Sequence, residues 1–294
     1  MRIPRYWAKG SAASGMPVTH PATGEAMEAF SCWGWSDVSV DEAQQRGRQR
    51  AAALAEMIRR GTRPDRYLYG DRPMREQILD QWNREDATTF AAVTLNGYGC
   101  QVLNTASVMF VDVDLPEVPA MSAFVGRLKR LLGNRGPSPR QQQASDALAR
   151  VQEMIRADPR CGVRVYRTRG GLRYLLTHAH ADPGAETTLR AMEVLGADPL
   201  YVRLCQVQEC FRARLTPKPW RCGTQALRVR YPWQDPKAER AARDWIDAYS
   251  RKAERYATCL LIEQFGSTEM DEEIARVVEF HDAITKARSG LELA

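Results

Sequence analysis

Two carboxylates set two residues apart at the end of an apolar run are the first feature of this chain that could do chemistry. The run is Ser107-Val108-Met109-Phe110-Val111-Asp112-Val113-Asp114. Short apolar runs rich in Val and Phe predict a buried strand, here closed by Leu115-Pro116. Residues i and i+2 of a strand share a face, so Asp112 and Asp114 project side by side. Like charges so placed repel, and burial makes each costlier to ionise. A hard divalent cation, Mg2+ or Mn2+, is the simplest stabiliser of such a pair. The plainer alternative is that one Asp accepts N–H bonds in the following turn while the other is solvated.

Two further stretches carry cations. In Tyr166-Arg167-Thr168-Arg169-Gly170-Gly171-Leu172-Arg173-Tyr174, strand, glycine turn and strand predict a hairpin. Gly170 and Gly171 let backbone approach a ligand closely. The guanidinium groups of Arg167, Arg169 and Arg173 suit phosphate oxygens, unless they are solvated arginines at a hairpin tip. The other stretch runs from Cys210 to Gly223. Pro217 and Pro219 fix an extended loop, and Arg212, Arg214, Lys218 and Arg221 supply four cations within ten residues. Trp220 is placed to stack on a base or to pack the loop down.

The elements that must position these groups follow from periodicity. Phe90–Leu95 reads as a strand, Asn96-Gly97 as a hairpin turn, and Tyr98–Asn104 as the returning strand. The Asp-bearing strand continues this meander. Gly162–Thr168 and Leu172–Thr177 form the basic hairpin. Ser39 with Glu42 makes a capping box for a helix ended by Gly61. A short amphipathic helix is expected from Met74 to Trp82, and others over 120–132, 141–157, 185–195 and 199–213. Residues 224–231 alternate as a strand. The tail is mostly helical: 237–256, a strand or helix over 258–265, and a last helix carrying His281, which reads as a core histidine. Ala29–Trp35 reads as a strand and 20–24 as a turn.

With 294 residues the chain fits one large domain or two small ones. Hydrophobic residues at 44% and charged residues at 27% are ordinary for a soluble globular protein. No apolar run approaches a membrane span, and the first residues carry no apolar signal core. The seven cysteines include no C-x-x-C pair, which argues against a disulfide framework or a zinc site and for a reduced, cytoplasmic setting. The net charge of +6 is unevenly spread. Between Cys161 and Tyr231 twelve basic residues face five acidic ones, a local field that favours polyanions.

Taken in order, D-x-D at a strand end, a glycine hairpin with basic residues, and Arg214-Leu215-Thr216-Pro217 before Lys218 resemble the archaeo-eukaryotic primase and primase-polymerase superfamily, over roughly residues 90–230. In that family the first motif binds divalent metal. The second ends in a histidine that contacts nucleotide phosphate, and a third supplies another metal-binding Asp. The resemblance implies Asp112 and Asp114 as catalytic, metal-binding residues. It implies Arg167, Thr168, Arg169, Gly170, Gly171, Arg173, Arg212, Arg214, Lys218 and Arg221 as nucleotide- or phosphate-binding residues. Two departures stand out. Arg173 occupies the histidine position, and no clear third Asp precedes Arg214. Glu209 and Asp198 are the candidates, with Glu209 taken as the third catalytic acid.

The expectation is therefore an α+β protein with a central antiparallel or mixed sheet built from hairpins and flanked by helices. Residues 1–235 form the primase-polymerase-like domain, and 236–294 a helical C-terminal extension packed on it. The expected function is metal-dependent nucleotidyl transfer on a DNA or RNA template or primer. The alternative is a non-catalytic nucleic-acid-binding or replication-initiation module. Nucleotides, DNA or RNA are the expected partners, and no membrane.

Overall fold

A computed structural model describes residues 1, 3–19, 26–61, 73–115, 138–233 and 235–294. The expected turn at 20–24 and helix at 120–132 lie outside the described residues. The chain divides into two compact units, Arg2–Arg75 and Glu76–Ala294. Residues 236–294, expected as a helical extension packed on the rest, lie in the larger unit.

The smaller unit is a hairpin of β1 (Tyr6–Thr19) and β2 (Ala26–Ser36) with helix α1 (Val40–Arg59) against it. Ser39 caps α1 by accepting from the Glu42 N–H. The Glu42 side chain does not complete the box; it pairs with Ser36 Oγ and Arg46 instead.

The larger unit contains two antiparallel four-stranded sheets. Sheet I has the order β3-β4-β5-β9: β3 (Gln77–Asn83), β4 (Thr89–Leu95), β5 (Gln101–Thr105) and β9 (Phe211–Arg214). Sheet II has the order β10-β7-β8-β6: β10 (Cys259–Gly266), β7 (Gly162–Thr168), β8 (Gly171–Leu176) and β6 (Phe110–Asp114). The helices are α2 (Pro139–Ala157), α3 (Glu186–Val194), α4 (Pro199–Gln208), α5 (Pro236–Ala253) and α6 (Glu272–Thr285), with a 3-10 turn at Pro219–Cys222. The architecture is α+β, as expected, and a C-terminal helix is present. No helix among the described residues is long and apolar enough to cross a membrane.

Both sheets feed one core. Ala91, Val93, Leu103, Phe211 and Ala213 contribute from sheet I, and Val111, Val113, Val163, Val165, Leu172 and Tyr174 from sheet II. In sheet II, pairing sets Asp112 opposite Arg173 and Tyr166 opposite Arg173. Opposed residues share a face, so Asp112, Asp114, Gly171, Arg173, Arg164 and Tyr166 lie on one face, which α6 covers. Val113, Leu172, Tyr174 and Arg167 lie on the other, which α2 covers: Tyr174 Oη donates to the Ala147 carbonyl.

Four expectations are corrected. Met74–Trp82 is not a helix. The four-residue spacing of Ile78 and Trp82 mimics a helical face, but pairing with β4 makes the segment strand β3. The helix from Pro199 stops at Gln208, because Glu209 turns left-handed (φ 51°) and Phe211–Arg214 pairs with β5. Residues 224–231 form no strand; Leu227 instead buries against Leu95 and Ala242. The meander ends at β5, and the turn held by Thr105 Oγ1 donating to the Val108 carbonyl sends β6 into the other sheet. The open choice at 258–265 resolves to strand β10, so the tail is not purely helical.

The tip of sheet II is tightly specified. A Cβ on Gly171 would collide with the Val113 carbonyl oxygen and crowd the Leu115 amide at 2.8 Å. Gly171→Ala is expected to destabilise the protein by about 1–3 kcal/mol, the range for overpacking, read as a lowered urea midpoint with unchanged m-value.

Candidate functional site

Asp112 is committed to a partner. Arg173 stands directly opposite it across the β6–β8 ladder. Its Nε donates to Oδ1 at 2.7 Å and its Nη2 to Oδ2 at 3.1 Å, a bidentate, charge-assisted pair. The Arg173 side chain is 1% exposed, the Asp112 side chain 35%. Arg173 Nη1 donates to the Arg214 carbonyl at 2.9 Å, reaching β9 of the other sheet. Burial opposes the guanidinium charge, yet the Asp112 carboxylate outweighs it and holds the Arg173 pKa above its ordinary value.

Asp114 lies at the strand end beside the glycine turn. A Cβ on Gly170 would sit 3.7 Å from its Oδ1. Partial burial, then the charges of Asp198 and Asp112, raise its pKa. Asp198 caps α4, its side chain accepting from the Leu200 N–H and its own N–H donating to the Asp112 carbonyl at 3.0 Å. Glu209 sits at the opposite end of that ten-residue helix, about 15 Å away at 1.5 Å per residue. The third acid brought to the pair is therefore Asp198, and the expectation for Glu209 is corrected.

On the same side lie cations. Arg214 has its Nε buried without a hydrogen-bond partner. Burial, and then the neighbouring charge of Arg173, lower the Arg214 pKa. Lys218 is lowered by burial and by the like charges of Arg214 and Arg221, while Asp114 pulls it back up. Arg212 shares its face of β9 with Arg214 but is paired with Glu76 at 2.8 Å and with Gln208, so its charge is spent within the fold.

The glycine hairpin is divided by its own pairing. Thr168 Oγ1 accepts from the Gly171 N–H at 3.0 Å and closes the turn. Arg167 faces α2, away from the acids, because it pairs with Leu172 rather than with a residue on the Arg173 face. Arg167 and Arg169 line a cleft of about 540 Å3 with Arg140, over a floor that includes Leu148 and Leu172. Arg140 donates to the Arg169 carbonyl at 2.7 Å. The structure thus gathers Asp112, Asp114, Asp198, Arg173, Arg214 and Lys218 on one side of sheet II, and Arg167 and Arg169 on the other. A single pocket holding all the predicted guanidiniums is not what forms.

Both Asp112 oxygens accept from Arg173, and no cluster of three metal-binding side chains occurs among the described residues. Three groups near the site escaped the sequence reading. Arg140 follows the Ser138 cap of α2. Tyr98 stands in the β4–β5 turn, and Arg230 has its guanidinium carbon 3.9 Å from where a Gly97 Cβ would lie. An aromatic in a glycine-flanked turn was the available signal for Tyr98. No family model, no curated protein and no solved structure matches this chain.

Two outcomes follow from the pair and its neighbours. Asp112→Ala leaves a buried, permanently charged guanidinium without its counter-ion. Removing one partner of a fully buried pair costs about 3–5 kcal/mol; the part-exposed carboxylate brings the expected loss to about 2 kcal/mol, against near zero for Asp114→Ala, read by urea denaturation. His281 is fully buried, and burial with the Arg173 charge lowers its pKa to about 4. Between that value and ~6.5 the unfolded chain binds a proton that the folded one refuses. Stability is therefore present above pH ~6.5 and falls on acidification, by about 3 kcal/mol at pH 4. His281→Gln should flatten that part of the pH–stability curve.

Proposed function

We propose that this chain is a nucleic-acid-binding module on a scaffold resembling the primase-polymerase superfamily, gripping phosphates with Arg214, Lys218 and Arg221. The supporting observation is electrostatic. Burial and then the Arg173 charge lower the Arg214 pKa, burial and the charges of Arg214 and Arg221 lower that of Lys218, and the Arg214 Nε is buried with no partner. Unpaired buried donors and mutually repelling cations are costly. Phosphate oxygens relieve both costs at once.

A second reading, nucleotidyl transfer with Mg2+ or Mn2+ on Asp112 and Asp114, is favoured by one observation: Asp198 and Asp112 join burial in raising the Asp114 pKa. A cation would relieve that crowding. This reading requires Asp112 to leave Arg173.

Fluorescence anisotropy with a labelled oligonucleotide tests the first reading. With three phosphate contacts on a single strand, log K should fall against log salt with a slope of about −2. Lys218→Ala should make that slope shallower by about 1. Binding that ignores salt would sink the proposal. Asp114→Asn combined with Asp198→Asn keeps the α4 cap and should leave this binding intact. Metal-dependent incorporation of labelled nucleotide by the wild type, lost in that variant, would instead establish the second reading.

A further inference from the structure

Trp220 and Tyr98 are large aromatics left 50% and 51% exposed, in two loops that meet. Their ring centroids are 5.4 Å apart and the planes are nearly perpendicular, at 85°. Neither loop is slack. Asn96 Oδ1 accepts from the N–H groups of Tyr98 and Cys100, both at 3.0 Å, and the Asn96 N–H donates to the Cys100 carbonyl. That fixes the turn presenting Tyr98. Trp220 rides the 3-10 turn Pro219–Cys222, whose Cys222 is buried against Tyr249, Ala253 and Ala294. The preceding Pro217 carbonyl accepts from Tyr249 Oη and from Cys100 Sγ. The rings are therefore held out into solvent by a rigid base, at the expense of leaving apolar surface wet.

Charge surrounds this corner. Lys218 Nζ lies 5.6 Å from the Trp220 ring centroid, a cation–π contact. Arg230 lies over Gly97, next to Tyr98. Arg228 is exposed, and Lys252 donates to the Gly223 carbonyl just after the 3-10 turn. Exposed aromatics interleaved with cations are what an unpaired base and its phosphates require: π-faces for the base and guanidinium or ammonium groups for the backbone. In a duplex the base faces are stacked on each other, so these rings would have nothing to receive.

We infer that the Tyr98–Trp220 corner is a base-stacking platform that makes this surface selective for single-stranded nucleic acid. Phosphates of the same strand lie on Lys218, Arg221 and Arg230. The perpendicular rings seat one base in their corner rather than a continuous stack, so recognition is tolerant of sequence. This inference rests on the phosphate-binding reading above and deepens it.

The test measures anisotropy of a labelled mixed-sequence single strand, of the same sequence as a duplex, and competition by inorganic tripolyphosphate. The wild type should prefer the single strand. Trp220→Ala should weaken single-strand binding by ~10-fold, the scale of one lost stack, with the salt slope unchanged. Trp220→Phe should recover most of it, and Tyr98→Ala should lower the single-strand preference. Both positions are exposed, and unchanged circular dichroism and thermal midpoint would establish that the variants fold. Equal affinity for single strand and duplex, or a Trp220→Ala variant that binds like the wild type while Lys218→Ala does not, would overturn the platform and leave the phosphate reading standing. Absence of salt-dependent binding to any of the nucleic acids would overturn both.

Discussion

The larger unit depends on a buried guanidinium that cannot lose its proton. Arg173 is 1% exposed, and an arginine side chain stays charged at any ordinary pH. Its charge must be answered where it lies. Asp112 answers it through two parallel hydrogen bonds across the β6–β8 ladder, and the third nitrogen takes the Arg214 carbonyl on β9. One side chain thereby ties sheet II to sheet I. His281 on α6 lies 3.5 Å from the same guanidinium, which, with burial, keeps that imidazole neutral. Asp282, its neighbour on α6, takes the other charge on this face, pairing with Arg164 at 2.6 Å and accepting from Tyr166 Oη at 2.7 Å. The covered face of sheet II is thus a satisfied ionic layer as well as an apolar one. Such layers are costly when half-filled.

That commitment decides what the acids are free to do. Arg173 takes one acceptor position on each Asp112 oxygen and answers the carboxylate's charge, so a cation at Asp112 would compete with a guanidinium that is always protonated. The remaining free carboxylate, Asp114, sits in the field of Asp198 and Asp112, and Lys218 and Arg214 offset part of that field. The acidic side of the site is therefore already partly neutralised from within. On the basic side, Arg173 and Arg221 raise the cost of the Arg214 charge, and Arg214 and Arg221 that of Lys218. Positive charge gathers in the stretch from Cys210 to Gly223, which carries no acidic residue of its own.

Several strands were legible in the sequence. β7 was readable from period-2 patterning, β4 as a short apolar run, and β5 and β8 as the returning arms of the turns at Asn96-Gly97 and Arg169-Gly170-Gly171. What was not legible is pairing between strands far apart in sequence. Phe110–Asp114 reads as a strand, but nothing local says that its partner is Gly171–Leu176 rather than β5. The end of α4 was missed because the left-handed position is filled by Glu209, without the glycine that usually marks such a stop. β3 was missed because Ile78 and Trp82 happen to satisfy helical spacing. Which charges of the acidic pair, the hairpin and the basic loop are already spent depends on Glu76, Asp112 and Asp282, whose partners lie 61 to 136 positions away.

The division of the glycine hairpin was within reach of sequence reasoning. A two-residue turn at Arg169-Gly170 sets Arg167 opposite Leu172 and Tyr166 opposite Arg173, and strand parity then puts Arg167 and Arg173 on opposite faces. Counting arginines around a turn overstates a phosphate site unless parity is applied. Applied here, it separates a cleft on the α2 side, rimmed by Arg140, Arg167 and Arg169, from the surface that carries Arg214, Lys218 and the exposed rings. The same parity places Arg173 beside Asp112. The residue that most resembles a phosphate ligand in the sequence is therefore the one whose charge the fold has already consumed.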